Sequence, residues 1–437
     1  IVALSTLVHR GRAHPLPPRP PAKDDVATIC YTSGTTGNPK GAMMTHGNFV
    51  AALTGADAAG ISLGTEDVHI SYLPLAHLME RIIQAAVYNG GAAVGFFGGD
   101  VTKILEDLQV LRPTLFPSVP RLFNRVYSKV LTGVREAGGL KQALFETALA
   151  SKKHYLADGH VHHSVWDAIV FGKLRDLLGG RVRLMITGSA PISNEVKEFL
   201  QCAFCCPVLE GYGLTETTAA ASITPLGEKC LPGVGAPIPC NEFKLVDIPE
   251  MGYSHRDRPY PRGELAIRGH NVFKGYFREP DKTRAAFDRD GFFLTGDVVR
   301  VNPDGSIAII DRKKSLTKLA QGEYVAPERV ENVYIKAPLI AQAFVHGDSL
   351  QSFVVAILVP DPDAASSWAV AHGKHADEPL ESLVRLPEFK ADVRAQIDQE
   401  GRAAELKGFE RAKAFHLEPE PFAVENGFLT PTYKLKR

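Results

Sequence analysis

Hydrophobic positions along the chain follow two periods. Short apolar runs bounded by glycine or proline predict strands, and the stretches between them, with apolar positions every third or fourth residue, predict helices. Residues 27–31 read as a strand, 47–53 open a helix, and 67–73 form a strand that runs into Pro74-Leu-Ala-His-Leu-Met-Glu-Arg81. A strand at 92–97, a helical segment near 101–111 and a strand around 114–116 follow, then a region rich in helix formers from about 121 to 179. Residues 183–187 have the unbroken apolar pattern of a buried strand. Strands alternating with helices imply a parallel, doubly wound α/β sheet. From about Gly233 the strands shorten and glycine and proline turns multiply, with strands at 263–268, 291–297 and 306–311. The charged run Arg312-Lys313-Lys314 then marks a boundary. Beyond it come a turn at Gly322, a helix opened by Pro327, strands near 341–345 and 353–359, and polar helical stretches from about 387 to 415. The expected organisation is a connector (1–24), a large αβ domain with a β-rich layer (25–311) and a small α+β domain (312–437).

Three of the predicted strand ends carry unusual turns. Tyr31-Thr-Ser-Gly-Thr-Thr-Gly-Asn-Pro-Lys-Gly41 gathers three glycines, four hydroxyls and a lysine. Glycines let the backbone come close to a ligand, and Thr32, Ser33, Thr35 and Thr36 add donors beside Lys40, which suits a polyphosphate. A Walker-type loop is excluded, because Pro39 precedes Lys40 and Gly41 follows it. Gly188-Ser-Ala-Pro-Ile-Ser193 and Val208-Leu-Glu-Gly-Tyr-Gly-Leu-Thr-Glu216 repeat the theme of a strand end passing into a glycine turn. Ligands of open α/β sheets bind at the carboxyl ends of strands, so the three turns are expected to converge on one pocket.

Composition narrows the picture. The chain has 437 residues, enough for two or more domains, and 45% hydrophobic content, typical of a globular protein. Its 49 basic residues balance 49 acidic ones, so no overall field draws in nucleic acid, which is not expected as a partner. No apolar stretch approaches the length of a spanning helix. Six cysteines in mostly apolar surroundings read as buried thiols of an intracellular protein, and Cys202-x-x-Cys205 lacks the second pair that a zinc site needs. The cluster His160-Val-His-His163 has no acidic or thiol partner nearby in sequence and reads as a solvated loop. The chain begins on Ile1 and a Pro/Arg-rich lead-in at 10–21, and reads as a fragment.

Taken in order, Tyr31–Gly41, Gly211-Tyr-Gly-Leu-Thr-Glu216, Thr295-Gly-Asp297, Asp311-Arg312 and a terminal lysine closely resemble the signatures of adenylate-forming synthetases. Within them, residues 73–81, 269–276 and 318–328 resemble eukaryotic-type long-chain fatty acyl-CoA synthetases. The resemblance implies ATP-dependent conversion of a fatty acid to an acyl-adenylate, with Mg²⁺, and transfer of the acyl group to coenzyme A. It implies that Thr32, Ser33, Gly34, Thr35, Thr36, Gly37 and Lys40 hold the β- and γ-phosphates. Thr215 and Glu216 would serve the α-phosphate, with Glu216 and Thr35 on the metal. Tyr212, between Gly211 and Gly213, would stack on adenine beside Gly188, Ser189 and Ala190. Asp297 would accept from the ribose hydroxyls with Arg312 in support, and His77 would stand at the acyl site. Lys434 takes the adenylation role, with Lys436 as its competitor because Tyr433 replaces the usual glycine. Lys318 would act in thioester formation and Lys314 would be the hinge of a mobile C-terminal domain. Arg81 stands where some members carry a gating aromatic, and the runs 92–97 and 114–121 are candidate tunnel walls. Such relatives carry a further N-terminal portion, to which any peripheral membrane attachment at the endoplasmic reticulum or peroxisome would belong; a cytoplasmic site stays equally open. An aryl- or amino-acid-activating sibling and a non-catalytic acyl or nucleotide binder are the alternatives.

Overall fold

Alternating strands and helices build the central sheet of the computed structural model, which describes residues 2–32, 39–190, 192–226, 233–313, 317–429 and 435–436, without the side chains of Thr102, Asp311 and Lys318. A first hairpin pairs β1 (Val26–Thr32) with β2 (Lys40–Thr45), the last rung being Thr32 opposite Lys40. The loop 33–38 is therefore the turn of an antiparallel hairpin, whereas a Walker loop passes from strand to helix.

Strands β3 (Val68–Ser71), β4 (Ala93–Phe96), β5 (Leu115–Ser118), β6 (Leu184–Thr187) and β7 (Val208–Tyr212) run parallel. Two short strands, β8 (Ser222–Ile223) and β9 (Ala236–Pro237), extend the sheet antiparallel, giving the order β4-β3-β5-β6-β7-β8-β9. Alternate residues feed opposite faces, as the two-residue period requires. Ile70, Phe116, Met185 and Val208 pack into one core with the helices Pro120–Ala137, Gly139–Ala157 and Asn194–Phe204. Leu115, Leu184 and Leu209 pack into another with Ile83 and Val87 of the helix Leu78–Asn89. This is the expected doubly wound arrangement.

The β-rich layer is also as read. Strands β10 (Asn241–Val246), β11 (Arg262–Gly269), β13 (Phe293–Val301) and β14 (Ile307–Arg312) make an antiparallel sheet, while β12 (Gly275–Tyr276), which lies between β11 and β13 in sequence, pairs with β2. The remaining described residues contain β15 (Thr317–Lys318), β16 (Tyr324–Val325), β17 (Ile340–Gly347), β18 (Val354–Pro360) and β19 (Ala414–Leu417). They enclose a separate core running from Leu319 to Leu417.

Several readings of the sequence need correction. The polar helix opened by Pro387 ends at Ala403, and Ala414–Leu417 is a strand parallel to β18, because Phe415 and Leu417 alternate into the core with exposed neighbours. The helix Pro362–Ala371, capped by Asp361, escaped notice. Residues of the lead-in from Arg10 to Ala13 belong to an exposed helix, Leu4–Ala13. Residues 92–97 do not form a tunnel wall: β4 is an edge strand on which Phe96 is 72% exposed. The histidine cluster does have an acidic neighbour, Asp167, 3.5 Å from His162 Nδ1. Asp167 also binds Lys152 Nζ at 2.6 Å, a fully buried lysine that contacts Cys205 Sγ at 3.1 Å. Cys30, Cys202, Cys205 and Cys206 are buried thiols, and burial pushes Cys202 up to about 11 and Cys206 up to about 12; Cys230 lies outside the described residues.

One buried ion pair ties the start of β3 to β6. Asp67 accepts from Arg183 Nε at 2.7 Å and from a second Arg183 nitrogen at 2.6 Å, and from Thr114 Oγ1 at 2.7 Å. The Arg183 guanidinium holds the Asp67 carboxyl well below the usual carboxylate range, with Thr114 and the Gly64 amide assisting against the opposing effect of burial. A depressed folded pKa supplies stability above the unfolded value and loses it as pH falls through the folded one. Arg183 is half exposed, so screening limits the gain. Asp67→Asn is expected to cost about 1–3 kcal/mol at pH 7. The gap from the parent, measured by urea unfolding, should close as pH drops below about 4; a gap that stays constant with pH would mean the carboxylate charge contributes nothing.

Candidate active site

The carboxyl ends of β6 and β7, the β1–β2 hairpin and the ends of β13 and β14 open onto a single cleft of about 3180 Å³. Every described member of the expected nucleotide set lines it: Thr32, Lys40, Gly188, Ser189, Ala190, Gly211, Tyr212, Gly213, Thr215, Glu216, Asp297 and Arg312. His77 lines it as well. Ser33, Gly34, Thr35, Thr36, Gly37, Lys314 and Lys434 lie outside the described residues, as does the side chain of Lys318.

Two of the glycines are required by close packing. A Cβ on Gly213 would stand 2.4 Å from the Ala219 carbonyl carbon, and one on Gly188 would stand 3.0 Å from the Gly211 carbonyl oxygen. The backbones of β6 and β7 therefore meet at the point where both strands end.

The ordering of polar groups is built by register. Asp297 on β13 lies opposite Arg312 on β14, and Arg312 Nε is 3.3 Å from Asp297 Oδ1. Tyr212 at the end of β7 donates its hydroxyl to Asp297 Oδ2 at 2.6 Å. Burial, reinforced by the Asp297 charge, pushes the Tyr212 hydroxyl well above its ordinary range, so it remains a donor. Asp297 is only 3% exposed and carries an ion pair on one oxygen and a hydrogen bond on the other. The turn before it is fixed by Thr295 Oγ1, which donates to the Leu265 carbonyl at 2.7 Å and accepts from the Asp297 amide at 3.0 Å.

A second cluster centres on Glu216, in the single 3-10 turn Thr215–Thr217. Tyr276 donates its hydroxyl to Glu216 Oε1 at 2.7 Å, and Lys40 Nζ stands 4.8 Å from the centre of the Tyr276 ring. Tyr276 was not singled out as a site residue. Its signal lay in the segment 269–276, which backs the whole turn: the Phe273 amide donates to the Glu216 carbonyl at 2.8 Å, and Asn271 Nδ2 donates to the Thr217 carbonyl at 3.0 Å. Burial, then Glu216, raises the Tyr276 hydroxyl far out of its titrating range.

His77 is the N-cap of the helix Leu78–Asn89, its Nδ1 accepting from the Met79 amide at 3.2 Å. The cap explains the residue locally while its position lines the cleft. Arg81 is engaged by the Leu75 carbonyl and by Thr28 Oγ1, both at 2.5 Å, so it pins this helix to β1. Of the two candidate tunnel walls, Leu115, Pro120 and Arg121 line the cleft, and no described residue of 92–97 does. Leu435 reaches the cleft from the terminal segment, and Lys436 is exposed, its amide bonded to the Phe428 carbonyl at 3.0 Å.

A family model described as AMP-binding enzyme matches residues 3–277. The chain belongs to that family. It is 48% identical over 437 residues to the peroxisomal long chain acyl-CoA synthetase 7 of Arabidopsis thaliana, and 44% identical over 441 residues to long-chain-fatty-acid–CoA ligase 1 of Homo sapiens. Each match covers 100% of this chain and 62% of the relative, so the chain spans about three fifths of the length of these curated proteins. Among solved structures, the A domain of carboxylic acid reductase from Segniliparus rugosus, in complex with AMP and a co-purified carboxylic acid, superposes with a TM-score of 0.77 at 29% identity. That match covers 99% of this chain and 62% of the solved one. Among the described residues no helix is long and apolar enough to cross a membrane.

Proposed function

We propose that this AMP-binding protein supplies the adenylating centre of a long-chain fatty acid–CoA ligase. ATP converts the fatty acid to acyl-adenylate with release of pyrophosphate, and the thiol of coenzyme A then displaces AMP. The observation that carries the reading is the Tyr212–Asp297–Arg312 cluster facing the Glu216–Tyr276–Lys40 cluster in one cleft. Whole-chain likeness to curated long-chain ligases supports it.

A carboxylate offers about four lone-pair sites, so Asp297 can accept from two ribose hydroxyls while keeping Tyr212 and Arg312. The tether to Asp297 holds the Tyr212 ring at a set distance from the ribose position, ready to stack on adenine. Lys40, Thr215 and the hydroxyls of the loop 33–38 would take the phosphates, which accumulate charge as pyrophosphate leaves. The donor set fits magnesium: Glu216 is a buried carboxylate with no donor on Oε2 among the described residues. No group of three or more His, Cys, Asp or Glu that could cage a metal occurs among them either. Magnesium keeps several waters and is held by one or two carboxylates plus substrate phosphates. Bound beside Glu216 and Thr35, it would neutralise developing charge on the phosphate oxygens. Lys434 and Lys318 would serve the two half-reactions in turn, with residues 312–437 reorienting about Lys314 between them.

The acid is expected to be long. Ile82, Ile83, Ile186 and Ile192 line the cleft near His77, and each methylene buried from water contributes up to about 0.8 kcal/mol before ordering costs. Acid-dependent pyrophosphate release should favour palmitate over acetate by about 100-fold or more in kcat/KM. Equal kcat/KM with acetate would overturn the chain-length reading, and preference for an aromatic acid would favour an aryl-activating sibling. A chain that binds ATP and fatty acid without releasing pyrophosphate, even when extended by the upstream part its relatives have, would be a binder.

A further inference from the structure

The helix Pro120–Ala137 leaves β5 at the carboxyl edge of the sheet and runs outward along the cleft. One face, with Leu122, Phe123, Val126 and Val130, is buried in the core under the sheet. The opposite stripe, Arg121, Asn124, Arg125, Ser128 and Lys129, recurs at intervals of three and four and lines the cleft. Arg121, Arg125 and Lys129 are exposed, and none forms an ion pair among the described residues. With a rise of about 1.5 Å per residue, the three cations form a row about 12 Å long.

Like charges four residues apart on a helix repel by a few tenths of a kcal/mol per pair, and a multiply charged anion would relieve that repulsion. The acids nearby do not occupy the row: Glu195 accepts from Tyr127 at 2.9 Å, and Glu136 stands two turns beyond Lys129. The facing wall offers Asp361, whose carboxylate caps the Ala364 amide, along with Asp363 and the cation Lys336. Asn124 adds a second kind of observation. Its amide oxygen is buried without a partner among the described residues, one turn from Arg121, and is thus an acceptor for an amide N–H.

We propose that this row binds the phosphates of the nucleotide end of coenzyme A, with Asn124 accepting from an amide of the arm that carries the thiol. The inference rests on the ligase reading above and deepens it. The reacting thiol must reach the carboxyl edge where Glu216 and Tyr212 lie, and its arm is long, so the phosphates must be held further out along a wall of the same cleft. The row begins at that edge and leads away from it. The arm's amides pass the turn that holds Asn124 before the phosphates reach Arg125 and Lys129.

The test is charge reversal at positions outside the adenylating clusters, Arg125→Glu and Lys129→Glu, alone and together. Each should raise the KM for coenzyme A by about tenfold or more, with a smaller effect for coenzyme A lacking its 3′-phosphate. Acid-dependent pyrophosphate release in the absence of thiol should stay within about twofold of the parent, as should the melting temperature profile. The proposal is overturned if the KM for coenzyme A stays within about twofold, or if pyrophosphate release falls in parallel. Loss of binding to phosphatidylserine vesicles with the coenzyme A KM intact would also overturn it, assigning the row to a lipid surface. Calorimetric binding of coenzyme A and of ATP separates this from failure of the ligase reading. If no thioester forms but the variants lose coenzyme A binding and keep ATP binding, the row stands and the ligase reading falls; if coenzyme A binding is unaffected, the row falls.

Discussion

Replacing Asp297 by alanine is expected to weaken ATP binding by roughly 2–4 kcal/mol, about 30- to 900-fold in Kd. Two charge-assisted bonds to the ribose would be lost, and water is a poorer substitute in a carboxylate site that is 3% exposed. The same change removes the partner of the Tyr212 hydroxyl and of Arg312 Nε. Some loss of thermal stability must accompany it, because buried donors would be left unpaired. Asp297→Asn separates the two effects. The amide oxygen can still accept from Tyr212, so most of the stability should return, while ATP affinity should stay low because a donor and a neutral group now face the hydroxyls. Titration of ATP by calorimetry, with melting followed in parallel, reads both. If Asp297→Ala binds ATP as the parent does and merely melts earlier, Asp297 is a joint between β7, β13 and β14 and not part of the nucleotide site.

Lys434→Ala should abolish acyl-adenylate formation, losing about 10²–10³ in rate for a cation aimed at developing charge. It should still convert supplied acyl-adenylate and coenzyme A into thioester. Lys318→Ala should do the reverse, forming adenylate and passing it slowly to the thiol. The two lysines lie more than a hundred positions apart in the part of the chain that follows β14, with a core of its own between them. A body of that kind that reorients between steps would present one lysine at a time. Pyrophosphate exchange and thioester formation measured separately decide the matter: if both variants slow both half-reactions alike, a single fixed arrangement is at work. Lys436 provides the control, since the loss of adenylation in Lys436→Ala in place of Lys434→Ala would move the role by two positions.

The sequence by itself determined which residues meet the nucleotide cleft and the order in which strands arrive there. Glycine, threonine and serine at 31–41 and glycine at 188, 211 and 213 are demanded by close backbone approach. The apolar runs between them could form little but strands. The alternation of apolar strands and helices likewise dictated the parallel sheet. Local pattern was insufficient where pairing joins distant segments. Nothing in 208–216 or 291–297 announces that Tyr212 donates to Asp297 across 85 positions, or that Tyr276 holds Glu216 across 60. Those bonds follow from the register of β13 against β14 and from β12 pairing with β2, which tertiary packing alone sets. The same reason explains the errors. Ala414–Leu417 follows a long polar helix, and only the pairing with β18 makes it a strand. Residues 92–97 look like an interior strand, and only the sheet order puts them at an edge. Lys152 reads as one charge among many on a helix, yet the packing of that helix against Asn194–Phe204 buries it between Asp167 and Cys205. Side-chain chemistry is written in the residues; which groups touch is decided by how the elements close on one another.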